Sequence, residues 1–128
     1  MAGIGAVLVR AADRLGEPGY LVLAEQTART CAALAPRMPL VTQCCGLSGV
    51  GDLLVDVAEA SGSEEFWDAA ETVAMIILSR SDGPRSRPAF PNAELTGSSA
   101  TWAGGSAGVL AFFRRLHDRG GRRLGLID

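Results

Sequence analysis

Apolar residues recur at Ile4, Val7, Leu8, Ala11 and Leu15. That spacing draws one stripe along an α-helix, with Arg10, Asp13 and Arg14 mostly off it. Gly16-Glu17-Pro18-Gly19 breaks the pattern with turn chemistry. A second helical pattern follows, carrying Tyr20, Ala24, Thr27, Ala28 and Cys31 along one side. Ala35-Pro36 ends it, and Pro39-Leu40-Val41 leads on as an extended linker.

The chain then repeats itself. A shift of 46 positions carries Gly3-Ile4-Gly5 onto Gly49-Val50-Gly51 without a gap, Leu8-Val9 onto Leu54-Val55, Gly16 onto Gly62 and Tyr20 onto Phe66. The second copy has the same stripe at Val50, Leu53, Leu54, Val57 and Ala58, then Phe66, Ala70, Val73, Ala74 and Ile77. Ser61 with Glu64 has the spacing of a capping box for the later helix. A period of this size holding two helices is the signature of a helical-hairpin array. Cys31 falls opposite Ile77, on the buried stripe, and is assigned to the core.

Residues 79–103 differ. Pro84, Pro88 and Pro91 with Gly83, Gly97 and several serines predict a long irregular connection. Its arginines Arg80, Arg85 and Arg87 read as solvated. A third copy opens at Gly104-Gly105-Ser106-Ala107-Gly108, in the place of Cys45-Gly46-Leu47-Ser48-Gly49, and continues through Val109, Phe112, Phe113 and Leu116. It lacks a second helix. Arg114, Arg115 and Arg119 suit the negative end of its single helix. The acidic residues of the second copy, Asp52 and Asp56 among them, read as a solvated helix face.

One stretch carries chemistry: Gln43-Cys44-Cys45-Gly46-Leu47-Ser48-Gly49. Two adjacent thiols precede a glycine bend and a helix start, whose partial positive charge favours thiolate, the form that binds metal or attacks an electrophile. The alternative on residue chemistry alone is buried filler, since cysteine is among the most buried residue types. Three cysteines without a secretory signal point to a reducing compartment, and residues 1–15 lack the basic flank of a signal peptide. No apolar run is long enough to span a bilayer. A net charge of −2 gives no reason to expect nucleic acid. The expectation is a cytoplasmic protein with neither membrane nor nucleic acid as partner.

The repeat glycines, the double-thiol turn and the ending TWAGGSAGVLAFFRRL, from Thr101 to Leu116, resemble the C-terminal half of the lanthionine synthetase C-like family, the cyclases of lanthipeptide biosynthesis. The ending is most similar to cyclase domains fused to kinase domains. The resemblance implies an all-α fold, a partial α/α toroid of about five helices. It divides the chain into repeats at approximately 1–46, 47–103 and 104–128. It implies a zinc ion, with Cys44 and Cys45 as two metal ligands, Cys45 standing where the family usually has His. The third protein ligand belongs one repeat earlier, upstream of Met1. The family's acid/base residues come from still earlier repeats, so no catalytic residue is assigned, and His117 matches none of the family's functional positions.

The implied activity is zinc-assisted addition of a peptide cysteine thiolate to dehydroalanine or dehydrobutyrine, forming thioether rings in the complete protein. Expected partners are the precursor peptide or the missing N-terminal repeats, with self-association as a further expectation. The alternative is a non-catalytic helical-repeat module that binds a peptide or partner protein. A third class with the same architecture, α/α-toroid carbohydrate enzymes, needs paired carboxylates in a central cavity. Asp52 and Asp56 share a helix face, but nothing else in the sequence marks them for that role.

Overall fold

The computed structural model describes residues 1–123; the final stretch of the third copy, 124–128, lies outside the described residues. Five α-helices follow one another: α1 (Ala2–Leu15), α2 (Pro18–Leu34), α3 (Leu47–Ser61), α4 (Glu64–Ser79) and α5 (Ser106–His117). A single 3-10 turn, Ala35–Arg37, closes α2. The fold is all-α. Among the described residues the only β pairing is one isolated antiparallel bridge, Asp82 to Ala89.

The two hairpin turns are built alike. Gly16 ends α1 at φ 67° and Gly62 ends α3 at φ 69°, a left-handed conformation that glycine adopts without a Cβ penalty. They are the same position of the 46-residue repeat. Pro18 then opens α2 at its first helical position, where a missing N–H costs nothing. The expected capping box does not form. Ser61 is the last residue of α3, its hydroxyl donates to Val57 O, and Ser63 stands at the N-cap position of α4 without a side-chain capping hydrogen bond. The N-cap of α4 falls two positions after Ser61, so Glu64 is its first helical residue and not the third that a capping box needs.

α3 is the centre of the molecule, in contact with all four other helices. Its Leu53, Leu54, Val55 and Val57 are sealed from solvent, and α4 adds Phe66, Ala70, Val73 and Ile77. α1, α3 and α5 run parallel. The start of α1 (Met1, Gly3) meets the start of α3 (Gly46, Gly49) in one cavity, and Asp13 meets Glu59 and Ala60 in another. Cys44 and Ala103, ahead of α3 and α5, are hydrogen-bonded, while Arg115 late in α5 reaches Asp56 and Glu59 late in α3.

The first copy departs from the second in burial. Ile4 and Val7 are about two-thirds exposed, whereas Val50 and Leu53, their counterparts one repeat later, are buried. α1 packs against α2 and α3, and its Ile4–Val7 face stays open among the described residues. The irregular connection between α4 and α5 is pinned by Phe90, buried edge-on against Phe113 at 5.9 Å. Arg80 is not solvated as expected: its guanidinium donates to the carbonyls of Met38 and Pro36, tying the connection to the end of α2. Among the described residues no helix is long and apolar enough to cross a membrane.

Candidate functional site

The double-thiol bend is held by backbone hydrogen bonds on both sides. Leu47 N donates to Leu40 O at 2.9 Å, and Ser48 N to Val41 O at 3.2 Å. The Ser48 hydroxyl donates to the same Val41 carbonyl at 2.6 Å. Gly46 caps α3 in extended backbone, and a Cβ there would lie 2.6 Å from Leu40 O and Thr42 N. Close approach, rather than unusual dihedrals, therefore demands glycine. The third copy reproduces the bend: Gly105 has nearly the same dihedrals as Gly46, and Ser106 N donates to Ser99 O at 2.8 Å. Cys44 N donates across to Ala103 O at 2.9 Å, so the two bends lie side by side.

This frame leaves both thiols at the surface. Cys44 and Cys45 are free and exposed, with sulfurs 3.6 Å apart. They line a cavity of about 270 Å³ together with Met1, Ala2 and Gly3 from the start of α1. Cys31 reaches the same cavity from below but is buried, and burial raises its pKa. The Cys44 thiol is also held above its ordinary pKa, chiefly by its hydrogen bond with Cys45, then by charge repulsion from it. The neighbouring sulfur thus works against the thiolate that a helix N-terminus favours.

Two sulfurs on one tetrahedral zinc, each at about 2.3 Å, stand about 3.8 Å apart. The observed spacing fits a pair of ligands on a shared cation. It does not amount to a whole site: among the described residues no group of three or more His, Cys, Asp and Glu side chains is placed to hold a metal ion. His117 lies on α5, exposed and hydrogen-bonded to Asp118.

A larger cavity of about 740 Å³ lies at the opposite end of α3, against Asp56, Glu59, Arg115 and Arg123. The acidic residues there are not the solvated helix face that the sequence pattern predicts. Asp52 and Arg115 are buried, not solvated, and form an ion pair at 2.8 Å. Gln43, next to Cys44, donates to the other Asp52 oxygen at 2.6 Å. Arg115 also holds Asp56 and Glu59, and Arg123 binds Asp56 at 2.9 Å. Asp52 and Asp56 are thus saturated by arginines, which removes them as the free carboxylates a glycosidase would need. The i, i+4 spacing of Asp52 and Asp56 was visible in the sequence, but the arginine opposite them, 59 or more residues away, was not.

No protein-family model matches this chain, and no curated protein matches it either. The candidate site therefore rests on its own geometry.

Proposed function

We propose that this chain is the C-terminal arc of a lanthionine synthetase C-like cyclase domain, with Cys44 and Cys45 as two of three protein ligands to zinc. The observation that carries the reading is the pair of exposed sulfurs 3.6 Å apart. They are presented by a bend whose backbone is rebuilt, without thiols, at Gly104-Gly105. Structural filler would be buried like Cys31. These thiols face an open cavity instead.

Cys44 and Cys45 hold the ion, and Gly46 and Gly49 fix the bend that aims them. The third ligand arrives from polypeptide that abuts the start of α1, where Met1 and Ala2 line the cavity. Bound there, zinc would supply the positive charge that deprotonates a substrate cysteine for addition to a dehydroalanine or dehydrobutyrine.

Metal analysis of protein purified without chelator tests this. With the preceding repeats restored, one zinc per chain is expected, lost on Cys44→Ser or Cys45→Ser. Metal-free restored protein would refute the ligand assignment.

A second reading, a non-catalytic helical-repeat module that binds a peptide or partner, is favoured by the exposed Ile4, Val7 and Leu15 stripe on α1. It requires no metal, so the same analysis separates the two.

A further inference from the structure

The helices α1, α3 and α5 pack by one rule. Leu53 of α3 lies over Gly5 of α1, so close that a Cβ on Gly5 would stand 2.7 Å from a Leu53 methyl. Phe112 of α5 lies over Gly51 of α3 in the same way, closer still. In repeat register Phe112, Leu53 and Val7 are one position, and Gly51 and Gly5 are another. Each repeat therefore drives a large apolar side chain onto the glycine of the repeat before it. Val7 is the next such side chain in the series, and it is about two-thirds exposed.

A second glycine points the same way, independently. Gly49 and Gly108 share a repeat position, and in each the space of a Cβ is taken by a backbone carbonyl six residues earlier, Gln43 O and Trp102 O. Gly3 is the same position in the first copy. A Cβ on Gly3 would meet nothing within 4 Å, and a helix generally favours alanine over glycine. Nothing within the described chain calls for glycine there. A loop entering α1 as residues 40–46 enter α3 would place a carbonyl over it.

The far end of the array is built differently. Where α1 and α3 carry Gly5 and Gly51, α5 carries Leu110, which is about two-thirds exposed. A second copy docking head to tail would press its Val7 onto Leu110 rather than into a glycine socket.

We propose that the Ile4–Val7 face of α1 is a docking surface for a further helical hairpin of this repeat class, its inner helix parallel to α1 with a glycine under Val7 and its exit loop crossing Gly3. The proposal does not rest on the metal reading, since neither glycine nor Val7 touches zinc chemistry.

The test compares the 128-residue chain with the same chain carrying an additional copy of residues 1–46 joined ahead of Met1, which continues the register unbroken. Thermal melting, hydrogen exchange in α1 and sedimentation velocity are measured for each. The extension should raise Tm by about 5 °C or more and protect α1. In the original α1, Val7→Asp and Gly3→Ala should each lower the Tm of the extended chain by about 5 °C. In the 128-residue chain Val7→Asp should leave Tm nearly unchanged, and Gly3→Ala should hold or raise it. Equal responses at both lengths, or an extension that brings no gain, would overturn the proposal. So would a dimer of the 128-residue chain dissociated by Val7→Asp, because the occupant would then be a second copy.

Discussion

Arg115 Nη1 stands 2.8 Å from Asp52 Oδ1, and both side chains are buried. The pair joins α5 to α3 across the middle of the repeat stack. Burial acts to lower the Arg115 pKa, but the charges of Asp56 and Asp52 outweigh it and raise it. Gln43 holds the second Asp52 oxygen, so the network ends one residue short of Cys44. The Gln43–Asp52 hydrogen bond thus links the thiol bend to the ion cluster.

Removing one partner from that cluster leaves a buried charge without compensation. Arg115→Met is expected to destabilise the fold by about 3–5 kcal/mol, read from urea unfolding midpoints. Adding Asp52→Asn to that variant should recover part of the loss, because the stranded charge is gone. An Arg115→Met protein that unfolds at the wild-type midpoint would show the network to be idle.

Gly49 and Gly51 tolerate no side chain for two different reasons. A Cβ on Gly49 runs into the Gln43 backbone carbonyl, and one on Gly51 into the Phe112 ring. Alanine at either should cost about 1–3 kcal/mol. Gly19→Ala, where a Cβ would have nothing within 4 Å, should be neutral or stabilising by up to about 1 kcal/mol. Parallel denaturation curves for the three variants check the order.

The thiols should divide two against one. Cys44 and Cys45 are expected to react with a disulfide reagent in the native protein, and Cys31 only on unfolding. The raised Cys44 pKa means less thiolate at a given pH than in a free cysteine, so its alkylation should rise at a higher pH than that of a free cysteine. Cys45→Ala removes the hydrogen bond and the repulsion that raise it. The Cys44 alkylation profile should then move to lower pH, and an unmoved profile would rule out the neighbour as the cause.

Phe90 is the anchor of the long connection between α4 and α5. Phe90→Ala should cost about 3 kcal/mol or more through lost burial against Phe113. Amide exchange should quicken from Ser81 to Gly104 before it does in α3. Uniform acceleration across the molecule would mean that the connection is not a separate unit.

Much of the helix layout could be read from one dimension. The 46-residue shift matched Gly16 to Gly62, because a left-handed turn disfavours a side chain wherever it recurs. The Val50, Leu53, Leu54, Val57 stripe marked α3, and Cys31 was placed in the core by its alignment with Ile77. The same stripe on α1 was legible as helix but not as exposed, since periodicity identifies a face without saying what lies against it. The candidate site was legible only as two neighbouring cysteines in a turn.

The sequence by itself thus determined the helices, their glycine turns and the residues of the double-thiol bend, all of which depend on contacts within a few positions along the chain. Tertiary structure alone decided that Asp52 and Asp56 are held by Arg115, and that Arg80 binds the carbonyls of Pro36 and Met38 just beyond α2. Those outcomes depend on charges and volumes brought together from distant segments or set by side-chain geometry, where local pattern carries no signal. A periodic sequence specifies which faces are apolar. Only the packed chain determines which of those faces find a partner.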